Sequence, residues 1–371
     1  MLASQLGIRL IVMLGQTVPL PAPAPVMNAL SSVQVTNDEQ GGDGFSMSFS
    51  LSKSQPVDYD LLQSGLLEQG TRVIIGVLLG AVPQALIDGI ITHHQVAPSA
   101  DPGASTLTVM GKDVSIMMDL EEKNASYPNQ PDSVIVTQLL AAYLQYGLIP
   151  EVTTTTNVPL QTDIIPRQYQ TDLAFIKAKA EANGHVFYIE PVTFGVNKAY
   201  WGPAIRVGMM QPKLTMGMGP GANLKSFSAS QDSMLPVQTA GGVIILFGQE
   251  IPIPPIPPLR VPPFVLKPTP VLRTKLMRTT ANQSAAAATV AVLAEALKSP
   301  DSVTGSGEID TVRYGNVLRA RKLVNLRGVG LSYDGTYYVK RVTHTITRGD
   351  YKQSFSVSRE GTGALLPVVQ P

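Results

Sequence analysis

The feature that most narrows the fold is the octapeptide Phe45-Ser46-Met47-Ser48-Phe49-Ser50-Leu51-Ser52, in which apolar and polar side chains alternate without exception. A strand turns successive side chains to opposite faces, so the pattern specifies a strand with one buried and one wet face. Ser354-Phe355-Ser356-Val357-Ser358 repeats the alternation near the other end, which makes the two segments candidates for equivalent strands of related units. A second correspondence points the same way. Asp88-Gly89 opens an apolar segment that reaches His94, followed by an alternating strand from Ser105 to Val109 and then Gly111. Asp334-Gly335 opens the run from Thr336 to His344, followed by Ser354 to Ser358 and then Gly361. Asp-Gly supplies the positive φ of a tight hairpin turn, so both dipeptides are expected at turns. The competing explanation is two unrelated hairpins that share turn chemistry.

At 371 residues the chain exceeds what one core usually supports, so two or three packed units are expected. The 32 Gly and 30 Pro favour short strands and many turns over long helices. Zero cysteines remove disulfides, thiolate catalysis and sulfur-ligated zinc together. Lys plus Arg number 28 against 27 for Asp plus Glu, so no net field draws in nucleic acid or anionic lipid. The apolar run from Leu6 to Leu14 has no basic region before it and is broken by Arg9, so it reads as a first strand rather than a signal peptide. The run Val243 to Phe247 is brief, and no stretch approaches the roughly 18 apolar residues of a membrane span.

The middle of the chain differs. Asp132 or Ser133 is placed to cap a helix running to Tyr146, with Gly147 ending it and Ile135, Val136, Leu139, Leu140 and Tyr143 on one apolar face. A second helix runs from Asp172 to about Asn183, capped by Thr171 and stopped by Gly184, and Val186 to Ile189 then reads as a strand. This is a small α+β unit between β units. From Glu250 to Pro270 the proline density removes backbone donors and holds an extended course, which excludes a central strand. Ala281 to Leu297 is then a helix on propensity, with Asn282 or Ser284 near its start and Pro300 beyond its end.

Groupings that could do chemistry are sparse. His93-His94 on a strand point to opposite faces and so do not share a metal, and no HExxH spacing exists. No GxSxG elbow is present, and Gly328-Val329-Gly330 lacks the further glycine and helix of a dinucleotide fingerprint, so these glycines are expected in a turn. Gly217-Met218-Gly219-Pro220-Gly221 lacks the Lys-Ser/Thr of a phosphate loop. Asp119, Glu121 and Glu122 suggest paired carboxylates, but Lys123 follows at once and acids this close are common at solvated turns. Arg348-Gly349-Asp350 matches an adhesion tripeptide but falls where a hairpin turn is expected. Asn124-Ala125-Ser126 and Asn282-Gln283-Ser284 are glycosylation sequons without a secretion signal. The proline segment suits either docking into a partner's aromatic groove or a stiff surface loop. Its Pro254, Pro255, Pro257 and Pro258, with Phe264, are the candidate partner-interface residues. No catalytic, cofactor-binding or metal residues are assigned.

The stretch Val109-Met110-Gly111-Lys112-Asp113-Val114-Ser115, with Met118-Asp119-Leu120-Glu121-Glu122-Lys123, Tyr127-Pro128-Asn129 and Asp132-Ser133, resembles the late control protein D family of tail hubs. That family includes the hub part of type VI valine-glycine repeat proteins. Gln170-Thr171-Asp172, Phe175-Ile176, Ala180-Glu181-Ala182-Asn183-Gly184, Gly328-Val329-Gly330, Asp334-Gly335-Thr336-Tyr337-Tyr338-Val339 and His344 follow in the same order, so the likeness spans about nine-tenths of the chain. The resemblance implies a β-rich α+β chain with two tube-like β-barrel domains flanking a small α+β domain. The expected boundaries are 1–115 for the first barrel, 116–195 for the α+β domain, 196–362 for the second barrel, and 363–371 for a tail. The second barrel would carry the Pro-rich insertion 250–270 and the Ala-rich helix 281–297.

It further implies a homotrimeric baseplate hub of a contractile phage-tail-like injection system that joins a six-fold inner tube to a three-fold spike. Other baseplate proteins are its remaining partners, with no nucleic acid, membrane insertion, cofactor or catalytic step. It would be made in a bacterial cytoplasm and assembled into an extracellular or virion tail-like particle. Spike-fused relatives continue past the hub, whereas this chain ends ten residues after Gly361, so the spike is expected on a separate polypeptide. The alternatives are a tail-tip cell-wall hydrolase, which would need convergent acids, and a receptor- or glycan-binding tail module, which would need exposed aromatics around Trp201.

Overall fold

A computed structural model describes residues 7–365 except 17, 54–57, 102, 160–164, 218, 245–249, 259 and 278–284. The first half holds β1 (Arg9–Gly15), β2 (Leu20–Pro21), β3 (Leu30–Asp38), β4 (Gly44–Ser50), β5 (Arg72–Leu79), β6 (Val82–Ala97) and β7 (Thr106–Asp113), with short helices α1 (Ala24–Ala29) and α2 (Asp60–Gln63). Leu51 and Ser52 of the opening octapeptide lie beyond the end of β4, while Phe45 to Ser50 fall within it, with Phe45, Met47 and Phe49 buried. They join Val33, Val35, Val73, Ile75, Leu107 and Val109 in one core.

The middle holds β8 (Glu122–Ser126), α3 (Asp132–Ala141), β9 (Leu148–Val152), β10 (Arg167–Thr171), α4 (Asp172–Ala182), β11 (Val186–Thr193) and β12 (Val196–Gly202). Thr171 caps α4 through its Oγ1, which accepts from Ala174 N at 3.2 Å, and Gly184 follows the helix with φ +66°. At α3 the cap position falls instead to Pro131 with no side-chain bond; Asp132 lies in the first turn and pairs with Lys179 at 2.8 Å. The α-helix ends at Ala141, and a separate 3-10 turn, Leu144–Tyr146, leads to Gly147. Trp201 is fully buried, its indole donating to Ile176 O at 3.2 Å, so it forms no exposed platform.

The second half holds β13 (Gln211–Thr215), β14 (Leu224–Gln231), β15 (Val237–Ile244), β16 (Glu250–Ile256), β17 (Val265–Pro268), β18 (Arg273–Leu276), α5 (Ala285–Leu297), β19 (Val303–Asp310), α6 (Thr311–Tyr314), β20 (Leu323–Arg327), β21 (Gly335–Thr347), β22 (Asp350–Arg359) and β23 (Gly361–Ala364). Val303, Ile309, Leu326, Tyr337, Val339, Phe355 and Val357 form its core.

The two halves repeat one topology. The first is ordered β3-β4-β7-β6-β5-β1; the second is β14-β19-β22-β21, with β20 on β21 and β13 on β20. With the two-residue β2, the inserted β15–β18 and the final β23 set aside, each half therefore lays its second, third, sixth, fifth, fourth and first strands side by side. Even the bulges coincide: β3 is interrupted between Leu30 and Ser32 where β14 is between Leu224 and Ser226. Likewise β6 is interrupted between Ile91 and His93 where β21 is between Val339 and Arg341. A bulge adds one unpaired residue and bends its strand, so matched bulges mark matched geometry. One pairing differs, since β13 runs parallel to β20 while β1 runs antiparallel to β5.

This repeat corrects two expectations. The counterpart of β4 is β19, not β22, so the two serine-alternating segments are not equivalent strands. Asp88-Gly89 is not a turn but lies inside β6, paired with Ile74 and Val73 of β5. The physical reason is Arg72, whose Nε donates to Asp88 Oδ1 at 2.8 Å in a fully buried pair, so the carboxylate needs no turn to satisfy it. Gly89 is required there by crowding, because a Cβ would lie 2.3 Å from Lys112 O. Asp334-Gly335 does open its strand from a turn, with Gly335 at φ +123°.

The halves join where β21 pairs with β3 through seven residue pairs, Arg341 with Asp38 to Thr347 with Ser32. The strand order is an open path from β14 to β2, and among the described residues no pairing closes it, so the expected closed barrels are not formed within the chain. The chain is β-rich α+β.

Candidate functional site

Of the candidate interface residues, Pro257 and Pro258 follow β16 and Phe264 precedes β17, while Pro254 and Pro255 lie in a small sheet, β16-β15-β18, inserted between β14 and β19. Its proline-rich strand β16 sits at the edge, bonded to β15 alone, as missing N–H groups require. Pro254, Pro255 and Pro257 are exposed and Pro258 is half-buried. Phe264 is different: only 4 % exposed, it packs with Val265, Leu323 and Tyr338, so its ring serves its own chain's core and is not offered to a partner. Sequence alone did not separate an apolar ring that anchors a loop from one that leaves it.

The root of this arm is Asp301. Arg206 donates to its Oδ2 at 2.5 Å, Arg260 to its Oδ1 at 3.0 Å, and Ser358 Oγ to its Oδ2 at 2.7 Å. Burial alone would raise the carboxyl, but the two guanidiniums and the hydroxyl outweigh it and hold Asp301 below its usual range. Arg206 also lies over the Phe264 ring, 5.1 Å from its centroid. On the other side α5 packs on β15, and Gly184 after α4 sits where a Cβ would be 3.0 Å from Ala294. The start of the expected alanine helix, from Ala281 through Asn282 and Ser284, lies outside the described residues, as do residues 245–247 of the Val243 to Phe247 run, Met218, and residues 366–371 of the tail.

A second constellation was not found from sequence. Arg321, buried and at φ +63°, bonds Asp43 of the β3–β4 turn and stacks on Tyr188 of β11 at 4.3 Å. One side chain of the second half thus reaches both the first half and the middle unit. Beside it, Asp113 is pushed up to about 7, first by burial and then by the charge of Asp43, against the opposing pull of its Ser115 hydrogen bonds and of Arg321. Arg72, Asp88 and Asn197 form a similar buried knot, with Asn197 Nδ2 donating to Asp88 at 2.7 Å and Arg72 to Tyr146 O at 2.7 Å. His344 is held neutral, lowered to about 3 by burial and then by Arg319, with Tyr351 Oη 2.9 Å from its Nδ1.

Asp119, Glu121 and Glu122 are exposed; Asp119 accepts from Thr171 Oγ1 at 2.6 Å, and Glu122 pairs with Thr171 across β8–β10. His93 and His94 stand on β6 opposite Met110 and Val109. Arg348-Gly349-Asp350 is the β21–β22 turn with Gly349 at φ +84°, and Gly328 and Gly330 take positive φ in the turn before β21. Asn124 lies in β8, and the second sequon lies outside the described residues. Among the described residues, no group of three or more His, Asp or Glu side chains is placed to hold a metal, and no helix is long and apolar enough to cross a membrane.

No curated protein sequence matches the chain. A family model described as the Alg8 N-terminal domain matches residues 51–234, from the end of β4 to the segment after β14, so it spans parts of both sheet halves and the middle. Among solved structures, a tail protein from Neisseria meningitidis MC58 is similar at 15% identity, covering 96% of this chain and 98% of that one, with a TM-score of 0.61. The 43 kDa tail protein of prophage MuSo2 from Shewanella oneidensis is similar at 13% identity, covering 95% and 99%, with a TM-score of 0.62. An E. coli component of the type VI secretion system, described as structurally similar to bacteriophage T4 tail proteins, is similar at 12% identity, covering 91% and 77%, with a TM-score of 0.55. The chain shares its fold with phage-type tail proteins and with a type VI secretion component.

Proposed function

We propose that the chain is a structural hub subunit of the late control protein D and valine-glycine repeat hub type, acting as a homotrimer in the baseplate of a contractile tail-like particle. Three chains would present six repeated β units to an inner tube and a three-fold face to a spike, with other baseplate proteins around them. The observation that carries this reading is the duplicated strand order with matched bulges, joined edge to edge in one chain whose fold is that of tail proteins. A heterologous ring needs repeated units that meet through unlike edges, and β21 meeting β3 is such a contact. Residues 1–115 and 196–362 would be the two tube-like units, each a wall segment of the ring rather than a barrel closed on itself, and 116–195 the α+β unit between them. The exposed Pro254, Pro255 and Pro257 would dock a baseplate partner through their extended backbone.

No catalytic step is assigned: the exposed Asp119 bonds Thr171, and the buried Asp43, Asp88 and Asp301 are held in ion pairs that serve the fold. Light scattering on purified protein tests the reading. A mass near three times 39.6 kDa is expected, and a strict monomer at high concentration would overturn it.

A further inference from the structure

The repeat leaves two edges open, and they are the counterparts of the two edges that already meet inside the chain. At the internal junction β21 contributes residues 341–347 and β3 contributes 32–38. The counterpart of β21 is β6 and that of β3 is β14. In β6 the edge opposite β7 is bonded to β5 only as far as Ile90. Beyond it, Thr92, His93, Gln95, Val96 and Ala97 are exposed, and among the described residues no strand pairs with that edge. β14 is likewise bonded to β19 alone, with Ser226, Ser228, Ser230 and Gln231 exposed. From Thr92 to Ala97 and from Ser226 to Gln231 neither edge carries a lysine or a proline, the residues that usually blunt a free edge.

We propose that residues 93–97 of β6 pair antiparallel with residues 228–232 of a second copy, reproducing the internal β21–β3 junction between chains. The copy number three rests on the hub reading above; the contact itself rests on the repeat. The matched bulges fix the register. With Thr92 aligned to Lys340 and Lys225 to Ser31, His93 takes the place of Arg341 and Asp232 that of Asp38. His93 then stands opposite Asp232, His94 opposite Gln231, Gln95 opposite Ser230, Val96 opposite Ala229, and Ala97 opposite Ser228. At the internal junction Arg341 Nε bonds Asp38 Oδ2 at 2.6 Å, and the transferred pair keeps the same polarity, imidazole against carboxylate. His94 Nε2 is buried with no hydrogen-bond partner among the described residues, and this register brings the neighbour's Gln231 amide to it.

The chain has no cysteine, so engineered pairs can be read without background. Gln95→Cys with Ser230→Cys occupies the positions of Thr343 and Thr36, whose Oγ1 atoms are 3.3 Å apart, close enough for a disulfide between cysteines there. Mild oxidation is expected to give chain-to-chain crosslinks on a non-reducing gel, ending at a covalent trimer. Thr36→Cys with Thr343→Cys is the control and should close within one chain. A trimer by mass whose control closes while Gln95→Cys with Ser230→Cys does not crosslink would overturn this contact and leave the hub reading standing. A monomer by mass would overturn both. Independently, His93→Glu sets like charges opposite each other and should weaken assembly about tenfold, with Asp232→Lys in the same chain restoring it. Loss without restoration would sink the register.

Discussion

Arg321 Nη1 lies 3.1 Å from Asp43 Oδ2, so a residue of the second half carries the counter-charge for a buried carboxylate of the first. Both side chains are nearly inaccessible, at 5 % and 1 %. Such a pair adds little over a well-packed apolar substitute, but breaking it leaves one charge buried and alone. Arg321→Met is therefore expected to destabilise by about 3–5 kcal/mol. Arg321→Met with Asp43→Asn should recover part of the loss in denaturant titrations, and a double variant no better than the single would show that Asp43 is not what Arg321 serves.

Asp113 gives a pH dependence with a definite sign. Its carboxyl is raised to about 7 in the folded chain against 3.8 in the free side chain. As pH climbs through that window the unfolded chain releases the proton first, so stability falls from about pH 4 to pH 7 and stays lower above it. Asp113→Asn should raise the melting temperature at pH 8 and leave it little changed at pH 4. An equal shift at both pH values would assign the effect to packing.

Gly111 is paired directly across from Phe45, with a Cβ there lying 2.3 Å from Ile90 O and 2.4 Å from the Phe45 ring. Gly111→Ala forces backbone or ring to move and should cost about 1–3 kcal/mol. Adding Phe45→Leu should relieve part of that cost in thermal melts if the ring is the obstacle.

Asp301→Ala leaves the guanidinium of Arg260 without its carboxylate at the root of the proline arm and that of Arg206 with Glu360 alone, 3.9 Å away. Limited proteolysis is expected to cut between residues 250 and 270 several times faster than in the parent chain, while the β4 and β22 core stays protected. Cutting spread evenly along the chain would show that Asp301 supports the whole fold instead.

Period-2 patterning was enough to place β4 and β22, because each has one face in a core and serine on most of the other. The α4 cap at Thr171 and the stop at Gly184 were readable for the same local reason: both act within a few residues of the element they bound. Asp88-Gly89 misled because a dipeptide suited to a turn is also suited to a strand when an arginine sixteen residues earlier neutralises the acid. Nothing local announces that partner. Bulge positions are equally silent in sequence, so the true alignment of the halves, β6 with β21 and β7 with β22, lies two to three residues away from the one the Asp-Gly and serine patterns suggest. Arg321 could have been sought only by asking which basic residue balances Asp43.

The halves agree in their strands and differ in what hangs from them. Between β3 and β4 the chain spends residues 39–43 on a turn, whereas between β14 and β19 the matching connection is residues 232–302, with its own sheet and helix. Any ring closed by such chains would repeat its wall twice for every time it repeats its arm. The wall would then mesh with a partner of one period and the arms with a partner of double that period, without either having to distort.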